Sequence, residues 1–199
     1  MGKGRLEAFS DGVLAIIITI MVLELRVPSG DSLEALRPLA PVFGSYVLSF
    51  VFLATYWNNH HHLFLVTDRV NAGVLWANMG LLFCLSLVPF GTAWMGESKF
   101  ATVPTAVYGG ILLMSGLAYF ILQSAILAGQ GRDSLLGAAI GKDIKGKATV
   151  AILVVAILCS FVQPFIAAAL YALVDALWLL PDRRIERVLS GAEDRPPGT

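Results

Sequence analysis

Three places in this 199-residue chain carry side chains able to do chemistry. The first is the run Arg5-Leu6-Glu7-Ala8-Phe9-Ser10-Asp11-Gly12, with two carboxylates four residues apart. The second is Tyr56-Trp57-Asn58-Asn59-His60-His61-His62, and the third is Asp175, alone in an apolar stretch. Carboxylates and imidazoles can move protons, hold metals or work as an acid–base pair. The spacing argues against the last two uses. Consecutive residues on a helix point in different directions, so three adjacent histidines chelate poorly, and no carboxylate follows them at i+3 or i+4. An acid and a base without a nucleophile beside them do not make an enzyme. A metal-dependent or intramembrane enzyme is therefore rejected.

The surroundings of these residues say what they do instead. Apolar types make up 57% of the chain and only 14% of residues are charged, where a soluble domain carries about 25%. That is too little charge to coat a globule in water, so lipid must be the solvent. The net charge is zero, and no basic cluster suggests nucleic acid. Cys84 and Cys159 lie in apolar stretches without ligand spacing and read as small buried hydrophobes. The first apolar run leads into Glu24, Arg26 and Pro28 with no cleavage pattern, so it is expected to remain as a helix.

A membrane-crossing helix takes roughly 17–25 apolar residues. Such spans are expected at Phe9 to about Leu25, Val42 to Leu63, Ala72 to Trp94 (kinked near Pro89), and Val103 to Ala128. The stretch from Ala148 to Leu180 is too long for one helix, and Gln163-Pro164 divides it into two. The expectation is an all-α integral membrane protein with six transmembrane helices in a single domain over residues 1–190. The last residues, 191–199, read as a disordered tail. With six spans, one side collects Lys3, Arg5, Arg69, Arg132, Lys142, Lys145, Lys147, Arg183, Arg184, Arg187 and Arg195. The other keeps Arg26, Arg37 and Lys99. Basic residues accumulate in the cytoplasm, which puts both termini of this multi-pass chain on the cytoplasmic side of the cell membrane.

That topology brings the Asp11 region and the histidines to the same depth. An intramembrane carboxylate is costly unless paired, and Glu7 repels Asp11 across one helical turn. Either Asp11 finds a partner on another helix or another chain, or Ser10 or Asp11 caps the N-terminus of the first helix. A helix–helix clamp of Asp11, Arg5 and one of His60, His61 and His62 suits the first alternative. Trp57 and Trp76 have the commoner role of interfacial anchors open to them. Asp175 is expected to be functional or paired, its partner not readable here. Glu24, Asp31 and Glu34 read as solvated loop charges among Arg26 and Arg37.

The run Arg-x-x-x-Phe-Ser-Asp-Gly, the segment Tyr56–His62 and Leu75-Trp76-Ala77-Asn78 together resemble the signature of the transmembrane protein 175 family. The likeness covers most of the chain and is densest in its first 95 residues. It implies a potassium-selective channel, no enzyme and no cofactor beyond the permeant potassium ion. A single six-helix repeat further implies a homotetramer in the bilayer with the first helix of each protomer lining a central pore. Arg5, Phe9, Ser10, Asp11, Trp57, His60, His61 and His62 then form a structural polar network.

Carried over by position, Ile16 matches the hydrophobic constriction and Thr19 a hydroxyl position associated with potassium preference. Ile20 and Leu23 continue the same face. The spacing is compatible, because 16, 19, 20 and 23 make an i, i+3, i+4, i+7 stripe, although such a stripe equally suits packed core or a lipid face. The Thr19 hydroxyl has two uses open to it: serving an ion, or bonding back to the carbonyl of Ala15. The rival function is a proton- or cation-coupled secondary transporter. Transporters show repeats and broken helices at midplane, and neither is seen in the sequence.

Overall fold

The computed structural model describes residues 2–67, 69–130 and 144–179, and these form an all-helical bundle. Helix α1 runs Lys3–Leu23, α2 Ala40–Leu65, α3 Ala72–Ser86, α4 Val88–Glu97, α5 Thr102–Gln130, α6 Ile144–Ser160 and α7 Pro164–Leu179. A short 3-10 segment, Leu33–Leu39, leads into α2. The first span, α2, the α3–α4 pair and α5 are long and apolar enough to cross a membrane. Helices α6 and α7 are shorter, at 17 and 16 residues, and three residues, 161–163, join them. The expected division at Gln163-Pro164 is where the chain turns. The expected tail, 191–199, lies outside the described residues.

Two boundaries follow from proline chemistry. Pro41 sits in the first turn of α2, where its missing N–H costs nothing. Pro89 cannot continue the ladder begun in α3, so the helix breaks for one residue at Leu87 and restarts as α4. Helix α1 departs further from expectation. It begins at Lys3, with Gly2 extended at its N-cap, six residues before Phe9. Ser10 and Asp11 are therefore in the helix interior, and the capping alternative falls.

Helix α1 packs on α2, α3 and α4, while α5 lies at the centre, touching α3, α4, α6 and α7. Lipid tails are as apolar as leucine, so helices in a bilayer gain little by hiding apolar surface from each other. Close fit and polar links hold them instead. Gly96 lets α4 reach α2 so closely that a methyl group there would meet the Cα of Val42 at 2.8 Å. Gly109 does the same for α5, since a Cβ would collide with the Tyr171 ring of α7 and stand 2.8 Å from Ile157 of α6. At the same level Ser49 joins three helices, its hydroxyl 2.6 Å from that of Thr92 and 2.9 Å from that of Tyr108. Tyr171 donates to the carbonyl of Thr105 at 3.1 Å, a second link from α7 to α5.

The closeness of fit at Gly109 gives a test. Gly109→Ala should destabilise the bundle by about 1–3 kcal/mol, the usual cost of overpacking, because neither the Tyr171 ring nor Ile157 can withdraw without moving a helix. Gly110, with open space at its Cβ position, should accept alanine. Thermal unfolding of both variants in detergent checks this, and equal midpoints would contradict the packing described.

Candidate functional site

The polar residues of α1, α2 and α3 meet at the end of the bundle where α1 begins. Ser10 is buried and donates to the carbonyl of Leu6 at 2.8 Å. The Asn78 amide nitrogen of α3 donates to Ser10 Oγ at 2.9 Å. That leaves the Asn78 carbonyl oxygen to accept from Nε2 of His60 on α2, at 2.8 Å. The chain has one direction, from imidazole N–H through amide and hydroxyl to backbone, and it fixes His60 as the tautomer protonated on Nε2. All three side chains are buried. Three helices are thus pinned to one another by a chain of bonds in which each donor meets an acceptor.

Asp11 stands outside this chain. It is exposed, and its carboxylate accepts from the indole Nε1 of Trp57 at 3.0 Å. The expected clamp of Asp11 with a histidine and Arg5 is therefore divided in two. Asp11 holds Trp57, and the histidine that links helices is His60, through Asn78. His61 stacks on Trp57 with rings 6.3 Å apart, and His62 sits half-buried beside His61. Arg5 is exposed and makes no ion pair among the described residues. Asn78 is the participant that residue types alone did not place in the network. Its signal was there, as a lone amide on an otherwise apolar helix.

The rotation this network imposes on α1 decides what the other face shows. Leu6, Ser10, Leu14, Ile17 and Met21 point into the bundle. Ile16 is 58% exposed and Leu23 78%, with Ile20 and Thr19 also exposed. Phe9, expected in the polar network, lies instead on this outward stripe, as does Gly12. Thr19 donates its hydroxyl hydrogen back to Ala15 at 2.8 Å, with the Ile16 carbonyl at 3.1 Å. The two uses foreseen for Thr19 are then compatible. With its hydrogen spent on the backbone, the oxygen presents only lone pairs outward.

At the opposite end Arg26 pairs with Glu97 of α4 at 2.7 Å, both exposed, and not with Glu24, Asp31 or Glu34. Such a pair in water contributes little. Among the described residues no group of histidines, cysteines and acids is placed to hold a metal ion.

The chain as a whole is similar to known proteins. A family model described as the endosomal/lysosomal potassium channel TMEM175 matches residues 5–89. A protein of Chryseobacterium sp. (strain P1-3), named a potassium channel, is 52% identical over 189 residues, which is 95% of this chain and 98% of that one. The chain belongs to the TMEM175 family. A second relative, also named a potassium channel, comes from Streptomyces collinus and is 36% identical over 59% of this chain and 61% of its own. The crystal structure of a homologue, from Chamaesiphon minutus, of the lysosomal potassium-selective channel TMEM175 superposes with a TM-score of 0.79. That match is 29% identical and covers 90% of this chain and 97% of that one. TMEM175 proteins are ion channels and not enzymes, in agreement with the rejection of an acid–base role for Asp11 and the histidines.

The two halves of the network differ in burial, so their loss should differ in effect. Asn78→Leu strands the His60 N–H, and leaving a buried polar group unpaired costs on the order of 1–3 kcal/mol. Trp57→Phe frees an exposed carboxylate and should cost under about 1 kcal/mol. Thermal unfolding of purified protein ranks them, and a larger loss at Trp57 would contradict the assignment of His60, Asn78 and Ser10 as the main clamp.

Proposed function

We propose that this chain is one protomer of a homotetrameric, potassium-selective channel, with the four α1 helices around a central pore and Ile16 at its narrowest ring. The observation that carries the reading is the orientation of α1. Its face with Ile17 is used up inside the protomer, Ile17 being 5% exposed, whereas Ile16, Thr19, Ile20 and Leu23 are left uncovered as one stripe. The relatives named as potassium channels support the choice of ion. The orientation proposed for the cell membrane, with both termini cytoplasmic, rests on the eleven-to-three division of Lys and Arg.

The mechanism follows from ring chemistry. One α1 cannot enclose a pore, but four around an axis stack their stripes as successive rings. An isoleucine ring offers no ligand to an ion, and a narrow apolar ring expels water, so it blocks current until it widens. One turn further on, the Thr19 oxygens present lone pairs to a cation that has shed part of its hydration. Potassium sheds water more readily than sodium, so this step favours potassium. The polar network takes no part in conduction; it sets the rotation of α1 that aims these residues at the axis. A coupled transporter is the alternative, and it differs in flux.

Ile16→Asn should wet the ring and raise resting current several-fold, with potassium preference reduced, whereas Ile16→Leu should change little. Ile17 is unsuitable as a control, since asparagine there would enter the core. Val22 is exposed on α1 about 120° round the helix from Ile16, and Val22→Asn should leave the current alone. Planar-bilayer recordings with unequal potassium and sodium read both quantities. The reading fails if Val22→Asn and Ile16→Asn act alike, or if wild-type flux is that of a carrier.

Native mass spectrometry in mild detergent should give four copies per assembly. A stable monomer or dimer would remove the central pore.

A further inference from the structure

Within one protomer, away from the α1 stripe, residues of α2, α5, α6 and α7 line a partly open cavity of about 370 Å³. Pockets for small organic ligands start at about 300 Å³ and are mostly apolar with a few placed polar groups. This one fits that description. Its wall contains the rings of Phe52, Tyr56, Tyr119, Phe120 and Trp178. Phe52 and Tyr56 lie 4.7 Å apart, and Tyr56 meets Tyr119 edge-on at 5.8 Å. Two polar groups that line the cavity have no partner among the described residues. Asp175 of α7 is 5% exposed, and among the described residues it has neither a hydrogen bond nor an ion pair. Thr55 of α2 is 8% exposed, and its buried hydroxyl oxygen has no hydrogen-bond partner among the described residues.

A carboxylate without a partner at this depth costs several kcal/mol in order of magnitude, and such residues mark function by default. The two lysines described nearby do not pair with it. Lys147 lines the same cavity but is exposed and does not pair with Asp175, and Lys145 lies over the Trp178 ring at 5.8 Å. What completes the site must bring positive charge and apolar surface together. Aromatic faces attract organic cations, quaternary ammonium groups above all, and a carboxylate among such faces selects them over neutral molecules of the same shape.

We propose that this cavity is a binding site for an organic ammonium ion with an apolar body, its charge beside Asp175 and its carbon surface against Tyr56, Tyr119 and Trp178. The site is separate from the α1 stripe and does not depend on the pore reading. A potassium ion would not suit it, since the walls supply rings where that ion needs a shell of oxygens.

The test uses benzyltrimethylammonium as probe, titrated by calorimetry into the whole protein in phosphatidylglycerol nanodiscs, which carry no ammonium lipid of their own. Saturable binding is expected, weakened at least tenfold by the isosteric Asp175→Asn and unaffected by excess potassium chloride beyond ordinary screening. Gly116 faces the cavity with open space beside it, its nearest neighbour being the Tyr56 hydroxyl at 3.7 Å from a Cβ. Gly116→Leu should fill the cavity and abolish binding with the carboxyl still present, which keeps the test decisive if Asp175→Asn fails to fold. In nanodiscs containing phosphatidylethanolamine, weaker probe binding identifies the lipid ammonium as an occupant; unchanged binding identifies a soluble amine, and either supports the site. No saturable binding to wild type, or affinity within twofold of wild type in Asp175→Asn or Gly116→Leu, overturns the proposal. Displacement by potassium would place the probe in the pore and overturn it equally.

Discussion

The hydrogen-bonded chain from His60 through Asn78 and Ser10 to the backbone of Leu6 is the interaction on which the rest of the structure depends. In lipid, an apolar helix has no strong reason to show one face of leucine and isoleucine to its neighbours more than another. Burial alone would leave α1 free to rotate. A serine, an amide and an imidazole that can only be satisfied together remove that freedom, because turning α1 by one residue would carry Ser10 away from Asn78 and strand three polar groups. Glycines act alongside it. Gly96 and Gly109 let α4 and α5 approach their neighbours at distances no side chain would tolerate, and those contacts fix the frame against which α1 is set.

The consequence appears on the far side of α1. Once Ser10, Leu14, Ile17 and Met21 face inward, helical geometry presents Ile16, Thr19, Ile20 and Leu23 outward as a continuous stripe. In the channel reading, a network that never touches an ion governs conduction through rotation of the helix that carries the gate. Trp57 and Asp11 add a weaker link near the surface. Among the described residues Asp175 has no hydrogen bond or ion pair and the buried Thr55 hydroxyl has no partner, and it is their meeting in one aromatic-lined cavity that sets it apart from an ordinary packing defect.

The sequence by itself determined the solvent and most of the architecture. Low charge and long apolar runs specify lipid, and prolines at 41, 89 and 164 mark helix starts and breaks because a missing N–H acts locally. The spans near Ala72 and Val103 needed no tertiary information, and the family motifs located the polar network to within a few residues. Only the tertiary structure decided who pairs with whom. That Asp11 takes Trp57 and not a histidine, that His60 takes Asn78, and that Phe9 leaves the network for the outward stripe all depend on how three helices are rotated and staggered. Isoleucine and leucine occupy every face of α1, so no periodicity could separate the buried face from the uncovered stripe, and Ile16 could not be told from Ile17 by residue type. The same holds for the helix start at Lys3, where early turns are secured by burial of Leu6 and Ser10 and by the Ser10–Asn78 bond to α3, and not by a capping side chain. Local chemistry is written in the order of residues. Rotation of one apolar helix against another is set by a few polar contacts between segments far apart in the chain, and it exists only once those segments have met.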